Sequence, residues 1–561
     1  MSDSSRVVFE YHEATKHSFN KYAQGPGRLD WSSQPDPFRR YRGAPLLYLE
    51  RFSLPGGSSG DASDESLRGP FYDQTFTEGE IAAVSLDLRS LSLLLFDSLA
   101  LSAWKSAGGE AWALRVNPSS GNLHPTEGYV IGGGAPLAGL AQTVVVSHYA
   151  PKEHALEIRC ELPPPLGEKL FTRLPRGALL VGLTSVHWRE AWKYGERAYR
   201  YCQLDVGHAL GALAIAAGGL GWRTNLLDDP SSEDLARLLG VSDPGGGEPE
   251  DPDCLIAVYP REKEDQGESP VFLDLESLFE DFPDLTWQGE PNVLSRSHVS
   301  WPAIEGVARA VHKPRTRNVY RSIPIDRVGP FESGRTLRPV SLRNIIHQRR
   351  SGVAMDGVTS MEREPFYRML LSTMPVVGKL PFAMLPWQPC VHLALFVHRV
   401  DGLAPGLYFV VRNPRHEPSL KEAMHRKLSW QKPEECPEQL DLYLLGKGDG
   451  RRASAQISCH QDIAGEGCFS VAMIAEFEPA LSRFGPWFYP RLFWECGMIG
   501  QLLYLEAEAA GLRGTGIGCF FDDPTHELLG LSDKRYQDLY HFTVGGPIED
   551  RRITTLPAYP E

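Results

Sequence analysis

Lys193-Tyr194-Gly195-Glu196-Arg197-Ala198-Tyr199 and Arg483-Phe484-Gly485-Pro486-Trp487-Phe488-Tyr489 stand 483 − 193 = 290 residues apart. The spacing holds without a gap as the chain runs on: Asp205 falls opposite Glu495, Gly207 opposite Gly497 and Leu213 opposite Leu503. Each block enters a long apolar stretch, GHALGALAIAAGGLG in one and GMIGQLLYLEAEAAGLR in the other. The stretches that follow are WRTNLLDDPSSEDLARLLGV and TGIGCFFDDPTHELLGL, in which Asp228-Asp229-Pro230 matches Asp522-Asp523-Pro524 after a small change of register. Helix, loop, D-D-P and Leu-Leu-Gly recur in one order, so the chain reads as two copies of one domain.

Short β-rich runs bounded by turn residues predict strands at EGYVIGG, TVVVSH, ALLVGLTSV, VHLALFVHRV, GLYFVV, FSVAMIAEF and YHFTVGG. They mix with helices rather than alternating as βαβ units, so the expected class is α+β. Segments 243–253 and 261–270, rich in Pro, Gly and acidic residues, read as loops. The expected division is an N-terminal extension and wrap at 1–84, a first domain at 85–275, a connector at 276–335 and a second domain at 336–561. In the last of these, SLRNIIHQRR opens with a helical stripe of Leu342, Ile345 and Ile346.

Composition narrows the function. Of 561 residues 42% are hydrophobic and 23% charged, which is a globular balance. A net charge of −14 argues against a broad nucleic-acid or anionic-membrane surface and leaves room for a local cationic pocket. MSDSSRVVFEYHEATKH lacks the basic and apolar regions of a secretory signal. Apolar runs such as 91–101 carry Ser and Asp and fall short of the roughly 18 residues of a membrane span. Nine cysteines with no C-x-x-C pair fit reduced core thiols, so a cytoplasmic enzyme is expected.

Four segments stand out as sites, and each has a plainer reading. Arg349-Arg350-Ser351 offers two guanidiniums and a hydroxyl suited to a phosphate, or is simply the basic end of a helix. Pro118-Ser119-Ser120-Gly121-Asn122 gathers small polar groups able to contact a flat polar ring, or forms an ordinary turn. Gly514-Thr515-Gly516-Ile517-Gly518 lets a backbone approach a planar ligand, or is a helix cap before a strand. It is not a dinucleotide fingerprint, since Cys519 stands where a third glycine is needed. Lys193-Tyr194 supplies a titratable amine and phenol, or is a surface Lys beside a half-buried Tyr; Arg483-Phe484 in the other copy removes both proton-transfer functions. Gly56-Gly57-Ser58-Ser59-Gly60, His12 with His17, and Cys459-His460 with Cys468 are set aside, lacking a nucleophile-elbow context or a metal-ligand spacing. No metal is expected.

Together, R-R-S at 349–351, P-S-S-G-N-L-H-P-T-E at 118–127, K-Y-G-E-R-A-Y-R-Y at 193–201, G-T-G-I-G at 514–518 and V-G-G-P-I-E-D-R-R at 544–552 resemble the nitroreductase superfamily of flavoenzymes, closest to its SagB-type azoline dehydrogenases. The likeness spans most of 85–260 and 335–555. It implies a nitroreductase-like fold and an FMN at an interface between copies. Arg349, Arg350, Ser351 and Arg551 or Arg552 would bind phosphate, and Pro118, Ser119, Ser120 and Asn122 would reach the same flavin from the first copy. Backbone at Gly516, Ile517 and Gly518 would face N5. The first copy has P-S-S-G-N but no R-R-S; the second has R-R-S but only LPFAMLPWQPC where P-S-S-x-N would fall. The expectation is a monomeric pseudo-dimer with one composite FMN site and one decayed site.

The family often reads R-R-S-x-R, and Val353 here lacks that last cation; Arg115 and Lys193 are candidates to replace it. The resemblance implies that Lys193 and Tyr194 remove a proton while a thiazoline or oxazoline, in a peptide or a small molecule, is oxidised. Two rivals remain: an NAD(P)H-dependent nitro- or quinone-type reductase, and a flavin-free scaffold in a biosynthetic complex.

Overall fold

The computed structural model describes residues 2–52, 69–76, 79–134, 137, 139–242, 248–261, 271–280, 282, 284–316, 340–376 and 379–559. Gly56–Gly60 lies outside them. Two antiparallel sheets dominate. The first runs Leu46–Tyr48, Ala155–Glu161, Val144–Ala150, Thr126–Gly133, Leu179–Ser185, Asp251–Pro260, Trp222–Leu227. The second runs Leu442–Lys447, Gly406–Val410, Val391–Val397, Phe469–Glu476, Tyr536–Gly545, Arg513–Ile517. Read from the last strand backwards the orders coincide, and the first sheet adds only Leu46–Tyr48 from the N-terminal extension. The α+β class and the duplication are therefore both present, and every strand predicted from the sequence has its counterpart.

The repeated blocks form two long helices, Ala198–Gly219 and Tyr489–Ala509. Both are buried nearly all round, as their uniformly apolar sequences require. They cross where Gly207 meets Gly497. A Cβ on Gly207 would sit 2.4 Å from the Trp494 carbonyl oxygen, and one on Gly497 would sit 2.2 Å from that of Leu204. Tyr199 stacks on Tyr489 with ring planes 7° apart. Both pairs are 290 residues apart, so equivalent residues touch each other. That is the signature of a self-complementary two-fold contact, here closed within one chain.

The ends of the chain tie the halves together. The C-terminal strand Thr554–Leu556 pairs with Leu101–Ala107 of the first copy. The N-terminal helix Asp3–Ala14 lies across the junction: Tyr11 Oη donates to the Glu196 carbonyl, and His12 hydrogen-bonds Tyr489 and Gln537. In the connector, where no period is evident, Pro302–Ala310 is a helix that starts on its proline and buries Ile304, Val307 and Ala308. No helix among the described residues is long and apolar enough to cross a membrane.

Candidate functional site

Arg349 caps the short helix Leu342–Gln348, so the R-R-S run leaves that helix at a fixed point. Arg349 is buried; its Nη2 donates to the Arg115 carbonyl at 3.2 Å, and its Nε has no partner. Arg350 donates to the carbonyls of His347, Arg349 and Ser102. Ser351 bridges to Gly514, and its hydroxyl lies 2.9 Å from Tyr504 Oη. Both carbonyls that link R-R-S to the other copy, those of Arg115 and Ser102, belong to the hairpin Leu101–Arg115 that leads into Pro118–Asn122. R-R-S is thus tied to the hairpin that runs into the half-motif of the other copy.

Two further cations join them. Burial and then the charge of Arg349 push the Arg350 guanidinium down to about 10. Burial, Arg350 and Arg513 lower Lys105, and burial followed by Arg513's charge lowers Arg349. Glu508, bound to Arg513 at 2.6 Å, and Glu549 are the carboxylates acting on this group. Lys105, Arg349 and Arg350 are held below their ordinary values, and with Arg513 and a buried orphan Nε they make a cationic cluster that a phosphate dianion would relax. Arg551 and Arg552 are not part of it. Both are exposed, and Arg552 pairs with Asp550 at 2.7 Å. Lys105 and Arg513 stand there instead, and neither lies in a recognisable motif.

From the cationic end the site continues along Gly514–Gly518. Gly516 N–H donates to Tyr504 Oη at 2.8 Å, and Thr515 Oγ1 donates to the Gly352 carbonyl. A Cβ on Gly516 would lie 1.8 Å from Tyr540 Oη, and one on Gly518 would lie 2.1 Å from Tyr201 Cε1. Both glycines are therefore forced by close approach, and Arg513–Ile517 is an edge strand rather than only a helix cap. Tyr201, from the first copy, packs on Tyr194 with centroids 4.6 Å apart.

Tyr194 and Lys193 reach the P-S-S-G-N loop. A Cβ on Gly121 would meet Tyr194 Oη at 2.7 Å and Lys193 Nζ at 2.9 Å, and Gly121 and Asn122 both have positive φ, 62° and 57°. The loop is held by Asp205, which accepts from Ser120 N and Oγ at 3.2 Å, while Ser119 Oγ accepts from His124 N. Glu495, the counterpart of Asp205, accepts from Cys390 N and Val391 N. The acidic position of the repeat thus anchors the segment before the same strand in each copy. Next to the loop, buried Glu127 binds Arg189 and His148, and Arg189 donates to the His124 carbonyl. Arg115, a candidate for the missing cation, donates its two Nη groups to the carbonyls of Thr126 and Pro37 and keeps a buried Nε without a partner.

Beneath Lys193, one turn back, lies Glu190, fully buried with both carboxyl oxygens unpartnered. Burial and the nearby Asp205 raise it well above the carboxylate range; burial pushes Asp205 up to about 7. Both groups bind protons more tightly folded than unfolded, so stability falls as pH rises from the unfolded carboxylate range near 4 toward neutrality. Glu190→Gln removes the Glu190 share of this decline at little cost in shape. The variant's gain in Tm over the parent should grow between pH 5 and pH 8; equal Tm differences at both pH values would contradict the assignment.

The pseudo-symmetric location is closed. Arg491, the counterpart of Tyr201, pairs with Asp228 at 2.8 Å and packs on Trp387, Trp487 and Trp494. Strand Trp222–Leu227 runs directly into Asp228, whereas Gly518–Phe521 intervene before Asp522 in the second copy. Lys313 donates to the Pro230 carbonyl and lines, with Arg491, a cavity of about 10 Å³, which is the room of one water.

The nitroreductase family model matches residues 107–258 and 408–546, one segment in each copy. The chain belongs to the nitroreductase family. This family consists generally of FMN-dependent oxidoreductases, so the chain is a nitroreductase-family oxidoreductase. Among solved structures, a nitroreductase-like protein of Anabaena variabilis is 22% identical, with 97% of this chain and 99% of that chain covered and a TM-score of 0.65, which establishes a shared duplicated fold. The Escherichia coli microcin synthetase McbBCD complex with truncated pro-MccB17 is 18% identical over 38% of this chain and 78% of that one, at a TM-score of 0.26. The NADPH:FMN oxidoreductase of Vibrio harveyi is 15% identical over 37% and 71%, at 0.22. No curated protein matches the sequence significantly.

Proposed function

We propose that this nitroreductase-family protein holds one FMN per chain in the composite cleft and uses it to dehydrogenate an azoline-type heterocycle, in a peptide or a small molecule. The observation that carries the reading is the convergence at Gly121. Lys193 Nζ and Tyr194 Oη meet there, at the loop that in this family reaches the flavin, while the second copy has Arg483-Phe484 at the equivalent place and Arg491 in the equivalent cleft.

The donor set fits the cofactor. Lys105, Arg349, Arg350 and Arg513 would take the phosphate; Ser351, Ser119, Ser120 and Asn122 would bond the ribityl chain or ring edge; and the backbone of Gly516, Ile517 and Gly518 would lie against the ring. Pro118 fixes the entry to the loop. Bound FMN supplies a two-electron acceptor. The chain's own work is to orient the heterocycle, take a proton at Lys193 Nζ with Tyr194 Oη as a hydrogen-bonding partner, and keep water from the buried end. The domain division at 85–275 and 336–561 is part of the same proposal, since each unit then contributes one half of the site.

Reduction under anaerobic conditions tests the reading. A thiazoline or oxazoline model peptide should bleach the bound flavin in a single turnover, and Lys193→Met should slow that bleaching by about 10²-fold or more. Rapid bleaching by NADPH or NADH alone, with none by azolines, would replace this function with a nitro- or quinone-type reductase.

A further inference from the structure

Among the nine cysteines, six are buried and Cys436, Cys459 and Cys519 are partly exposed. Cys459 and Cys519, 60 residues apart in sequence, bring their sulfurs within 2.6 Å. Their segments are already registered: Phe521 N–H donates to the Ile457 carbonyl, and Gln461 Nε2 donates to the carbonyls of Cys519 and Ser458. The two sulfurs therefore face each other from segments already held side by side. Cys459 and His460 both adopt left-handed backbone, φ 54° and 58°, an unusual pair for residues with side chains. Ser458, bonded to His541 at 3.0 Å, and Gln461 hold that turn in place.

The surroundings activate one sulfur of the two. Ala23 N–H donates to His17 Nδ1, which leaves the ring proton on Nε2, and His17 hydrogen-bonds Cys519. A hydrogen bond with Cys459, then His17 and the Arg197 charge, lower the Cys519 thiol, while Cys459 is raised. The exposed rings of Phe19 and Tyr22 border the pair, packing on His460 and Phe521.

We propose that Cys459 and Cys519 form a dithiol–disulfide redox site on the wall of the cleft, exchanging with low-molecular-weight disulfides. The Cys519 thiolate attacks a disulfide RSSR, forms Cys519–S–S–R and releases RS⁻. Cys459 then gives its proton to solvent base, attacks the Cys519 sulfur and expels the second RS⁻. Two protein sulfurs are oxidised to one disulfide and RSSR is reduced to two thiol equivalents, so electrons balance. The site stands whether or not the cleft holds a flavin. Its position gives it a consequence: Cys519 follows Gly518, which lies against Tyr201, and precedes Asp522, which receives Arg197 and Arg200. The bond would clamp this loop to the turn at Ile457–Gln461.

The test uses the reduced full-length protein, incubated with oxidised glutathione, acid-quenched, and alkylated under denaturing conditions for mass spectrometry. Seven labels instead of nine, a cross-linked peptide containing Cys459 and Cys519, and reversal by excess reduced glutathione are expected. Cys459→Ser should instead carry one persistent glutathione at Cys519. Nine labels after oxidation, a cross-link through other cysteines, or glutathione on Cys436 as readily as on Cys519 would overturn the proposal. None of these readouts depends on turnover.

Discussion

Lys193→Met lowers azoline turnover by about 10²–10⁴-fold, the span that a positioned general base contributes, and leaves flavin content unchanged. Methionine preserves the unbranched stem and removes the amine, so packing beside Gly121 is kept. The amine stands at the P-S-S-G-N loop and the proposed phosphate cluster is built from other residues, which is why binding and turnover should separate. Tyr194→Phe gives a smaller loss because it removes one hydrogen-bonding group and no base. Loss of flavin in Lys193→Met, or turnover within a factor of about three of the parent, would remove Lys193 from this role.

Asp522→Ala destabilises the protein by about 3–5 kcal/mol, the cost of leaving buried charges unpaired. Asp522 Oδ2 accepts from Arg197 at 2.9 Å and from His17 N at 2.9 Å, and Oδ1 accepts from Arg200 at 2.7 Å. Burial opposes its ionisation, yet Arg197 and Arg200 overcome that and hold the carboxyl far below its ordinary range. Its contribution is therefore present above pH 4 and lost as pH falls. The same arginines donate to the carbonyls of Thr15 and His12, so the N-terminal segment is keyed to this carboxylate. Urea denaturation at pH 7 should show the loss, and limited proteolysis should cut first near residues 12–25. A change under about 1 kcal/mol would mean that water, not Asp522, satisfies the guanidiniums.

Much of the architecture was legible because the repeat is long and its period unbroken. Gly207 and Gly497 fall at the same place in both blocks, and that place is the helix crossing, where only glycine lets the backbones meet. Asp205 and Glu495 were aligned by spacing, but nothing in a linear sequence says that each anchors its own loop. The cationic cluster was half legible. Arg349 and Arg350 lie in a motif, while Lys105 comes from a hairpin of the other copy and Arg513 sits just before the glycines. The resemblance of the 544–552 segment assigns Arg551 or Arg552 to the phosphate, yet a turn directs Arg552 to Asp550. The unpaired Glu190 carboxyl could not be foreseen, since burial of a carboxylate has no sequence signature. The four residues Gly518–Phe521, absent from the first copy, looked like a small register change, yet they form the segment that packs on Tyr201 and carries the chain to Asp522.

Flavin stoichiometry tests the composite site most directly: absorbance of the purified protein, with FMN quantified after acid release and reconstitution. One FMN per chain is predicted, lost both in Arg350→Ala from the second copy and in Asn122→Ala from the first, and retained in Arg491→Ala at the closed location. Two FMN per chain, or none after reconstitution with excess FMN, would contradict a single site built from both copies.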